Sequence, residues 1–262
     1  ESDGSFLYPE GTIENGSLTA SSRAAIEPNL TEDVTKAWYV STTDGHPSQT
    51  TQEFDLDKAD AYSFVKAPRF NNQPMEVGPL ARLMVTLQRP SHPTYNHQAV
   101  QAFKDALTSG ITPGAVGRHL ARALETQVLC DAMVRWLNDI ESMVQTNPNS
   151  TIHDTAHWEP PTTGQAYGMI EAPRGALGHW VRIANSVIDQ YACVVPTTWN
   201  AAPMDSSGAQ GPVEKALLGC PVPDLNNPIN VGRVIRSFDP CLACAVHILT
   251  PAGQVKKFIV NR

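Results

Sequence analysis

The chain has 262 residues and a mass of 28.4 kDa, and 41% of its residues are hydrophobic while 17% are charged. These proportions are typical of a globular protein that buries a sizeable core in one or two domains. The net charge of -7 is scattered along the sequence, which argues against nucleic acid or an anionic membrane as the partner.

No apolar segment is long enough to predict a membrane-spanning helix. Residues 1–4 do not form a basic region followed by an apolar stretch, so no export signal is predicted on this chain.

The first two thirds of the sequence divide into a loop-rich zone and a helical zone. Residues 1–60 are rich in Gly, Ser, Thr, Asn and Asp, and short alternating segments such as 11–18 predict hairpins and long loops. Helices are then predicted at 77–85, with Pro79 in the first turn, at 96–107 and at 113–143. In the third helix one apolar stripe predicts core packing, and its members are Val116, Leu120, Ala123, Leu124, Val128 and Leu129.

The last third of the sequence has mixed signals. Beyond Pro160 the pattern predicts loops, a helix over 178–189, a short strand over 193–195 and a helix over 212–218 that Gly219 ends. On one interpretation, residues 231–238 form a strand that leads into Cys241.

Two thiols and an imidazole lie close together in residues 237–247, which read SFDPCLACAVH. Cys241 and Cys244 form a C-x-x-C pair that can direct two sulfurs at one soft metal, and Pro240 restricts the backbone before it. A structural zinc needs a second pair or two histidines, and a c-type haem needs His directly after the second Cys, and neither pattern is present. From the residue types alone, a metal site, a redox dithiol and two buried cysteines all remain open.

The other cysteines are Cys130, Cys193 and Cys220. Five cysteines, with two in one motif, do not indicate a disulfide framework. We therefore expect these three side chains to be small buried apolar groups.

Residues 239–247, DPCLACAVH, resemble the C-terminal signature D-P-C-x-x-C-x-x-H of the large subunit of nickel–iron hydrogenases. Four further segments resemble that subunit in the same order: YSFVKAPR at 62–69, PMEVGPLAR at 74–82, EAPRG at 171–175 and VPTTWN at 195–200. The resemblance runs from about Asp55 to His247. It implies a predominantly helical α+β fold with long core helices and peripheral hairpins and loops.

The resemblance also implies a centre in which four thiolates hold nickel and two of them bridge to an iron that carries cyanide and carbon monoxide. Cys241 matches the terminal nickel thiolate, a candidate proton acceptor, and Cys244 matches a bridging thiolate. Arg174 matches a guanidinium beside the metals, Pro173 lies next to it at the cofactor, and Asp239 matches the carboxylate that orients the guanidinium. Apart from the resemblance, Arg174 fits a turn with a solvated side chain, and Asp239 fits a helix or turn cap.

Two more positions acquire a role from the resemblance alone. Thr197 matches the hydrogen-bond donor to a cyanide, although its sequence context otherwise predicts a polar turn after a strand. His247 matches a ligand of a magnesium or iron ion, with the backbone carbonyl of Cys193 as a further ligand. The remaining histidines show no ligand pattern.

The sequence departs from the family pattern in two ways. No C-x-x-C pair precedes Cys241 and no Arg-Gly-x-Glu segment occurs, so we expect the N-terminal half of the large subunit to be a separate piece or chain. Residues 248–262 continue past His247, and the resemblance implies a tail that a maturation endopeptidase removes after nickel insertion. We therefore divide the chain into 1–247 and 248–262, and expect a retained tail to form a hairpin around 251–253.

The implied reaction is the heterolytic cleavage of H2, with electrons passed to an iron–sulfur small subunit that alone carries the clusters. Nickel chaperones are the implied maturation partners, and the implied location is periplasmic or membrane-associated, reached through the export signal of the partner. Two alternatives remain: an unprocessed precursor or assembly subunit, and an interaction or redox-sensing protein with a plain dithiol.

Overall fold

The computed structural model describes residues 6–41, 44–50, 53–148, 159–241, 245–249 and 255–259, and for the last two ranges the backbone alone. The predicted α+β class is confirmed, with 38% helix against 22% strand. The helices are α1 Arg23–Ile26, α2 Pro79–Leu87, α3 Gln98–Thr108, α4 Ala115–Thr146, α5 Pro196–Asn200, α6 Pro212–Leu217 and α7 Ile229–Ser237. The strands are β1 Thr12–Glu14, β2 Ser17–Ala20, β3 Leu30–Asp33, β4 Ala67–Phe70, β5 Thr163–Ala172, β6 Gly175–Ala184, β7 Val187–Val194, β8 Ala245–Leu249 and β9 Val255–Ile259.

The N-terminal zone consists of short antiparallel pairs and loops, as predicted. Strands β1 and β2 form a hairpin that turns at Asn15 and Gly16, both of which have positive φ values of 50° and 80°. Strand β3 pairs with β4, with Leu30 opposite Phe70 in the register. All four residues of β4 are buried, so this pair anchors the loop-rich zone to the core.

The three predicted helices of the central zone are confirmed, with ends shifted by a few residues. Pro79 occupies the first turn of α2, where its missing N–H removes no helical hydrogen bond. Helix α3 begins after His97, whose Nδ1 accepts a hydrogen bond from the Ala99 N–H at 3.1 Å. This imidazole caps the helix in the way that Ser or Asp usually does.

Only part of the predicted apolar stripe of α4 faces the core. Val128 is buried, and Leu120 and Leu124 are partly buried against the apolar cluster that α2, α3 and α4 form. The other three members, Val116, Ala123 and Leu129, are exposed. The buried face also contains Gly117 and Ala121, so it is rotated relative to the predicted stripe, and an added Cβ on Gly117 would clash with the Thr112 carbonyl oxygen.

Two apolar clusters form the interior. The first joins the N-terminal strands to the β5–β7 sheet and contains Ala20, Leu30, Phe70, Trp180, Ala192, Val194 and Trp199. The second joins α2, α3 and α4 and contains Leu80, Leu83, Ala99, Val100, Phe103, Ala121 and Val128. Val77, just before α2, packs on the first cluster, while Leu80 lies in the second. The start of α2 therefore links the two clusters.

The predicted helix over 178–189 is wrong, because this segment forms β6 and β7 of a three-stranded antiparallel sheet in the order β5–β6–β7. Asn185 and Ser186 both have positive φ, 54° and 61°, and make the tight turn between the strands. Trp180 and Ala192 are paired across the strands and are both buried in the first cluster. The predicted strand near 193–195 is the end of β7.

The interpretation of residues 231–238 as a strand is also wrong, because they belong to helix α7 and its C-terminal cap. Val231, Val234, Ile235 and Phe238 recur at helical spacing, and Ile235 and Phe238 are buried. The strand that a thioredoxin-like dithiol would need before Cys241 is therefore replaced by a helix.

The C-terminal segment forms an antiparallel pair of strands. Strand β8 pairs with β9, with His247 opposite Lys257 in the register. The predicted hairpin thus has both of its strands, while the expected connection around 251–253 lies outside the described residues.

The second half of α4 carries an exposed apolar stripe, which consists of Leu129, Met133, Leu137, Ile140 and Val144. No residue from 133 to 146 is buried. The spacing of four, four, three and four residues places the apolar stripe on one face of the helix. Among the described residues, no helix combines the length and apolar character needed to cross a lipid bilayer.

Candidate active site

Four segments that stood out in the sequence meet between the two apolar clusters. They are the loop before α2 at 74–78, the β5–β6 turn at 172–175, the residues 195–200 that include α5, and the end of α7 with the residues up to 241. The contacts that join them are made mainly by glycines, one asparagine, and arginine and acidic side chains.

The first two segments touch through their backbones. A Cβ atom added to Gly175 would lie 2.6 Å from the Gly78 nitrogen and 2.8 Å from the Val77 Cβ, so only glycine fits. Asn200 ties the third segment to the first, because its Oδ1 accepts from the Val77 N–H at 3.0 Å and its Nδ2 donates to the Val77 carbonyl at 2.9 Å. The loop before α2 is therefore fixed from two sides.

Arg174 and Asp239 are brought together across this junction. Arg174 Nε donates to the Asp239 backbone carbonyl at 2.8 Å and lies 3.2 Å from the carboxylate Oδ2. The two side chains are 34% and 39% exposed. Among the described residues, the terminal nitrogens of Arg174 have no hydrogen-bond partner, so they are available to a group bound at this open surface.

Asp239 ends helix α7 through its backbone. Its N–H donates to the Arg236 carbonyl at 3.0 Å, and its φ of 51° is left-handed, which costs a residue with a Cβ on the order of 1 kcal/mol. Pro240 then prevents the helix from continuing. The backbone of Asp239 thus closes the helix end just after the C-cap residue Phe238, while its carboxylate faces Arg174.

Cys241 follows this helix end and lies exposed beside α5. Its sulfur is 3.2 Å from the Oγ1 of Thr197, which belongs to the first turn of α5. The turn expected around Thr197 is thus a short helix that begins at Pro196. A thiol and a hydroxyl within contact distance provide one soft ligand and one hydrogen-bond donor at the same point.

Sequence reasoning missed the residue that positions the β5–β6 turn, Arg82. Its Nε and Nη2 donate to the two carboxylate oxygens of Glu125 at 2.5 and 2.8 Å, and these side chains are only 7% and 5% exposed. Its terminal nitrogens also donate to the carbonyls of Ala172 and Pro173, each at 2.9 Å, and to the Glu171 carboxylate at 2.5 Å. Burial opposes the charge, but the hydrogen bonds to Glu125 and the Glu171 charge outweigh it and raise the pKa of Arg82.

Two further arginines, both on α4, were missed as well. Arg118 makes a bidentate pair with Glu76 at 2.7 and 2.8 Å, and its guanidinium carbon lies 3.7 Å from the ring centroid of Phe238. Arg122 Nη2 donates to the Ser237 carbonyl at 2.9 Å. The available signal was the spacing of Arg118, Arg122 and Glu125, which puts three charges on one face of a predicted helix.

The two Ala-Pro-Arg tripeptides of the sequence have different surroundings. Arg69 is 3% exposed, pairs with Asp205 at 2.6 Å and donates to the carbonyls of Pro203 and Ala209. Its guanidinium is thus fully used within the fold. Arg174 instead lies at the open surface next to Cys241.

The expectation that the other cysteines are buried is wrong for two of them. Cys130 lies on the exposed side of α4, and Cys193 points outward on β7 between the buried Ala192 and Val194. Cys220 is half-buried. Partial burial, followed by the nearby Glu32 carboxylate, raises the pKa of the Cys193 thiol.

Cys244 lies outside the described residues, and for His247 only the backbone is described. In the part of the chain that the structure describes, no group of three or more His, Cys, Asp or Glu side chains could hold a metal ion. The described part thus brings together Arg174, Thr197, Asp239 and Cys241, with Pro173 exposed beside Arg174.

Residues 1–247 match the family model described as nickel-dependent hydrogenase. The chain belongs to this family.

Two curated relatives of this nickel-dependent hydrogenase chain illustrate the similarity. It is 42% identical over 213 residues to the periplasmic [NiFeSe] hydrogenase large subunit of Desulfomicrobium baculatum, covering 78% of this chain and 39% of the relative. It is 33% identical over 271 residues to the quinone-reactive Ni/Fe-hydrogenase large chain of Wolinella succinogenes, covering 95% of this chain and 46% of the relative. The chain spans about half the length, or less, of the curated relatives that it matches.

Solved structures of the family share the fold. A reduced, active form of the Ni-Fe-Se hydrogenase from Desulfomicrobium baculatum aligns with a TM-score of 0.75 and 36% identity, over 92% of this chain and 48% of that one. The as-isolated oxidized Ni-Fe-Se hydrogenase from D. vulgaris Hildenborough aligns with a TM-score of 0.74 and 34% identity, over 91% and 48% of the two chains. The resemblance read from the sequence motifs is confirmed.

We predict that Gly175→Ala destabilises the protein by about 2–4 kcal/mol, because φ is 133° and the new Cβ meets the Gly78 backbone. Gly168→Ala is the matched control, since nothing lies within 4 Å of its added Cβ. Thermal denaturation of the native assembly measures both. Equal stability of the two variants would contradict the close backbone approach.

Proposed function

We propose that this chain is part of the catalytic large subunit of a nickel–iron hydrogenase, which cleaves or forms H2. The observation that carries the proposal is the meeting of Cys241, Thr197 and the Arg174–Asp239 pair at one exposed point of a chain in the nickel-dependent hydrogenase family. A soft ligand, a neutral donor and a guanidinium together suit a metal centre that handles protons.

The donor set fits the implied centre. Cys241 and Cys244 would hold nickel as thiolates, and two more thiolates would come from polypeptide outside these 262 residues, because this sequence has no second C-x-x-C pair. When bound, the nickel–iron centre supplies the electron-accepting site at which H2 is split into a proton and a hydride.

Cys241 serves as the proton acceptor in this proposal. A thiolate with one metal bond retains lone pairs, and the exposed position of Cys241 leaves its sulfur accessible. The Thr197 hydroxyl at 3.2 Å can donate to this sulfur and limit its rotation. The proton thus starts its path at Cys241 Sγ.

Arg174 orients the reacting molecule beside the metals. Its Nε is engaged by Asp239, which fixes the plane of the guanidinium and leaves the terminal N–H groups for the site. A role of Arg174 as a transient base would require the guanidinium to release a proton that arginine holds strongly. Positioning is therefore the main role that we assign.

The cyanide and carbon monoxide ligands require a dry, donor-bearing surface. Thr197, through its hydroxyl and backbone, and the exposed Pro173 beside Arg174 are proposed to line the diatomic ligands of the iron. A magnesium or iron ion would be held by His247 and the backbone carbonyl of Cys193; the preference of hard cations for oxygen supports the carbonyl, while His247 is assigned from the family resemblance.

The proposed partners follow from the reaction. Electrons need a carrier, and an iron–sulfur small subunit supplies the clusters for which this chain has no ligand set. One relative is named as periplasmic, and we propose a periplasmic or membrane-associated complex exported through the signal of the small subunit. Nickel chaperones and H2 complete the partners, and nucleic acid is not among them.

We also propose that residues 248–262 are a tail that a maturation endopeptidase removes. The family match ends at residue 247, and β8 runs across this point from Ala245 to Leu249. Pairing with β9 ties the segment on both sides of His247 into one hairpin, which cleavage would release.

The remaining half of the large subunit is proposed to pack on the apolar stripe of α4. The relatives extend well beyond the part matched here, Arg174 and Cys241 are solvent-accessible, and the five side chains of the apolar stripe are 37% to 64% exposed. An exposed apolar row of this kind marks an interaction surface.

An infrared spectrum of the native assembly tests the proposal as a whole. Bands of carbon monoxide and cyanide bound to iron lie where proteins do not absorb. Their presence, with H2-dependent dye reduction, is the expected result. A spectrum without these bands, from an assembly that contains all its subunits and has completed maturation, would refute the enzyme assignment.

We predict that Cys241→Ala abolishes nickel retention, whereas Arg174→Lys keeps nickel and loses turnover by roughly a hundredfold, because lysine lacks the planar fork. Metal analysis and H2-dependent dye reduction measure these effects. Cys130→Ala and Arg182→Lys are the controls, since both residues are exposed and Arg182 pairs with Asp189 on a surface hairpin. Normal turnover of Arg174→Lys would remove Arg174 from the mechanism.

We predict that Leu137→Glu combined with Ile140→Glu lowers the yield of assembled complex by at least about tenfold, since two charges would be buried at the interface. Val116→Glu is the control, because Val116 is 67% exposed on the same helix but does not belong to the exposed apolar stripe between residues 129 and 144. Native mass spectrometry of the purified complex measures the yield. An unchanged yield would show that the apolar stripe does not contact the companion polypeptide.

A further inference from the structure

The segment that presents Cys241 depends on an unfavourable backbone conformation. Asp239 has a φ of 51°, in the left-handed region that glycine usually occupies at a helix end. A non-glycine residue persists there only when its surroundings hold it. The side chains that grip the carbonyl groups near Asp239 therefore decide where Cys241 points.

Two guanidinium groups hold these carbonyls. Arg174 Nε donates to the carbonyl of Asp239 itself at 2.8 Å, and Arg122 Nη2 donates to the carbonyl of Ser237 at 2.9 Å. Ser237 is fully buried and ends α7, so Arg122 reaches the last turn of that helix from α4. The two arginines thus anchor the chain on both sides of Phe238.

We infer that Arg122 is a positioning residue of the candidate active site, which holds the end of α7 so that Asp239 and Cys241 meet Arg174 and Thr197. The inference rests on the proposed function for its catalytic consequence. Nothing in the family resemblance or in the motifs pointed to Arg122.

The role of Arg122 is distinct from that of its neighbour Arg118. Arg118 joins α4 to Glu76, stacks on Phe238 and donates from Nη1 to the Ser237 hydroxyl at 3.4 Å. It thus contacts side chains at the end of α7, whereas Arg122 holds a backbone carbonyl there. Among the described residues, the side chain of Arg122 makes one hydrogen bond, to the Ser237 carbonyl. Removing it should therefore loosen the helix end and leave the Arg118 contacts in place.

The charges around Arg122 support the same assignment. Burial lowers the pKa of Arg122, and the Asp239 carboxylate is the strongest influence in the opposite direction, while Arg174 adds to the lowering. The Asp239 carboxylate therefore lies within the electrostatic reach of both Arg122 and Arg174. Arg174 alone contacts this carboxylate, while Arg122 acts on it at longer range.

Amide hydrogen exchange in the native assembly tests the inference. In Arg122→Gln we expect exchange of the peptide covering 237–241 to accelerate at least about tenfold, with exchange of α2 unchanged, because only the local anchor is lost. Turnover per bound nickel is expected to fall, whereas a general loss of structure would lower the nickel content. Arg135→Gln, which removes an exposed arginine of the same helix, is the control.

Arg122→Lys keeps the charge and a hydrogen-bond donor. We expect the amide exchange rate of residues 237–241 in this variant to lie between the rates in the wild type and in Arg122→Gln. It serves as the test if Arg122→Gln does not assemble. If a variant assembles and its residues 237–241 exchange amide hydrogens at the wild-type rate, the inference is overturned, whatever the turnover of that variant. Failure of both variants to assemble, while Arg135→Gln assembles, overturns it too, because Arg122 would then be needed for folding. Amide exchange does not require hydrogenase activity. The test therefore shows whether Arg122 holds the end of α7 even if the proposed function is wrong.

Discussion

The arrangement of the candidate site depends on one buried guanidinium, that of Arg82. It binds both carboxylate oxygens of Glu125 on α4 and the two carbonyls that precede Arg174, so a single side chain connects the helical cluster to the β5–β6 turn. Breaking a buried pair of this kind costs about 3–5 kcal/mol, because the remaining charge is left without a partner. The half-buried Arg174 is held firmly because the turn beneath it is fixed in this way.

Helix α4 has an unusual distribution of polar and apolar residues. Its first half buries Arg118 and Glu125 next to the site, while its second half exposes the apolar stripe to solvent. A surface helix of a complete globular protein normally shows the opposite arrangement. Buried charges suit a region that must orient polar segments, and exposed apolar residues suit a region that a further polypeptide covers. Both features agree with a chain that spans less than half of its relatives' length.

Local signals were enough to predict much of the fold. The central helices followed from helical spacing and from Pro79, and α6 followed from Gly219. The β6–β7 hairpin was missed because its turn residues, Asn185 and Ser186, are a weak turn signal and its apolar pattern also fits a helix. Helix α7 was missed because a short apolar segment before a C-x-x-C pair fits a strand equally well. In these cases packing against a distant element, not local preference, chose the structure.

The sequence by itself determined the family, through five separated motifs, and it identified Arg174, Asp239 and Cys241 as a group, because such motifs are read directly from residue identity and order. Only the tertiary structure showed that the guanidinium of Arg69, in the other Ala-Pro-Arg tripeptide, is buried and paired within the fold, and it alone revealed Arg82 and Arg122 as supports. The physical reason is that these assignments depend on contacts between residues far apart in the chain. Arg82 and Ala172 or Arg122 and Ser237 meet only when the helices and the sheet have packed.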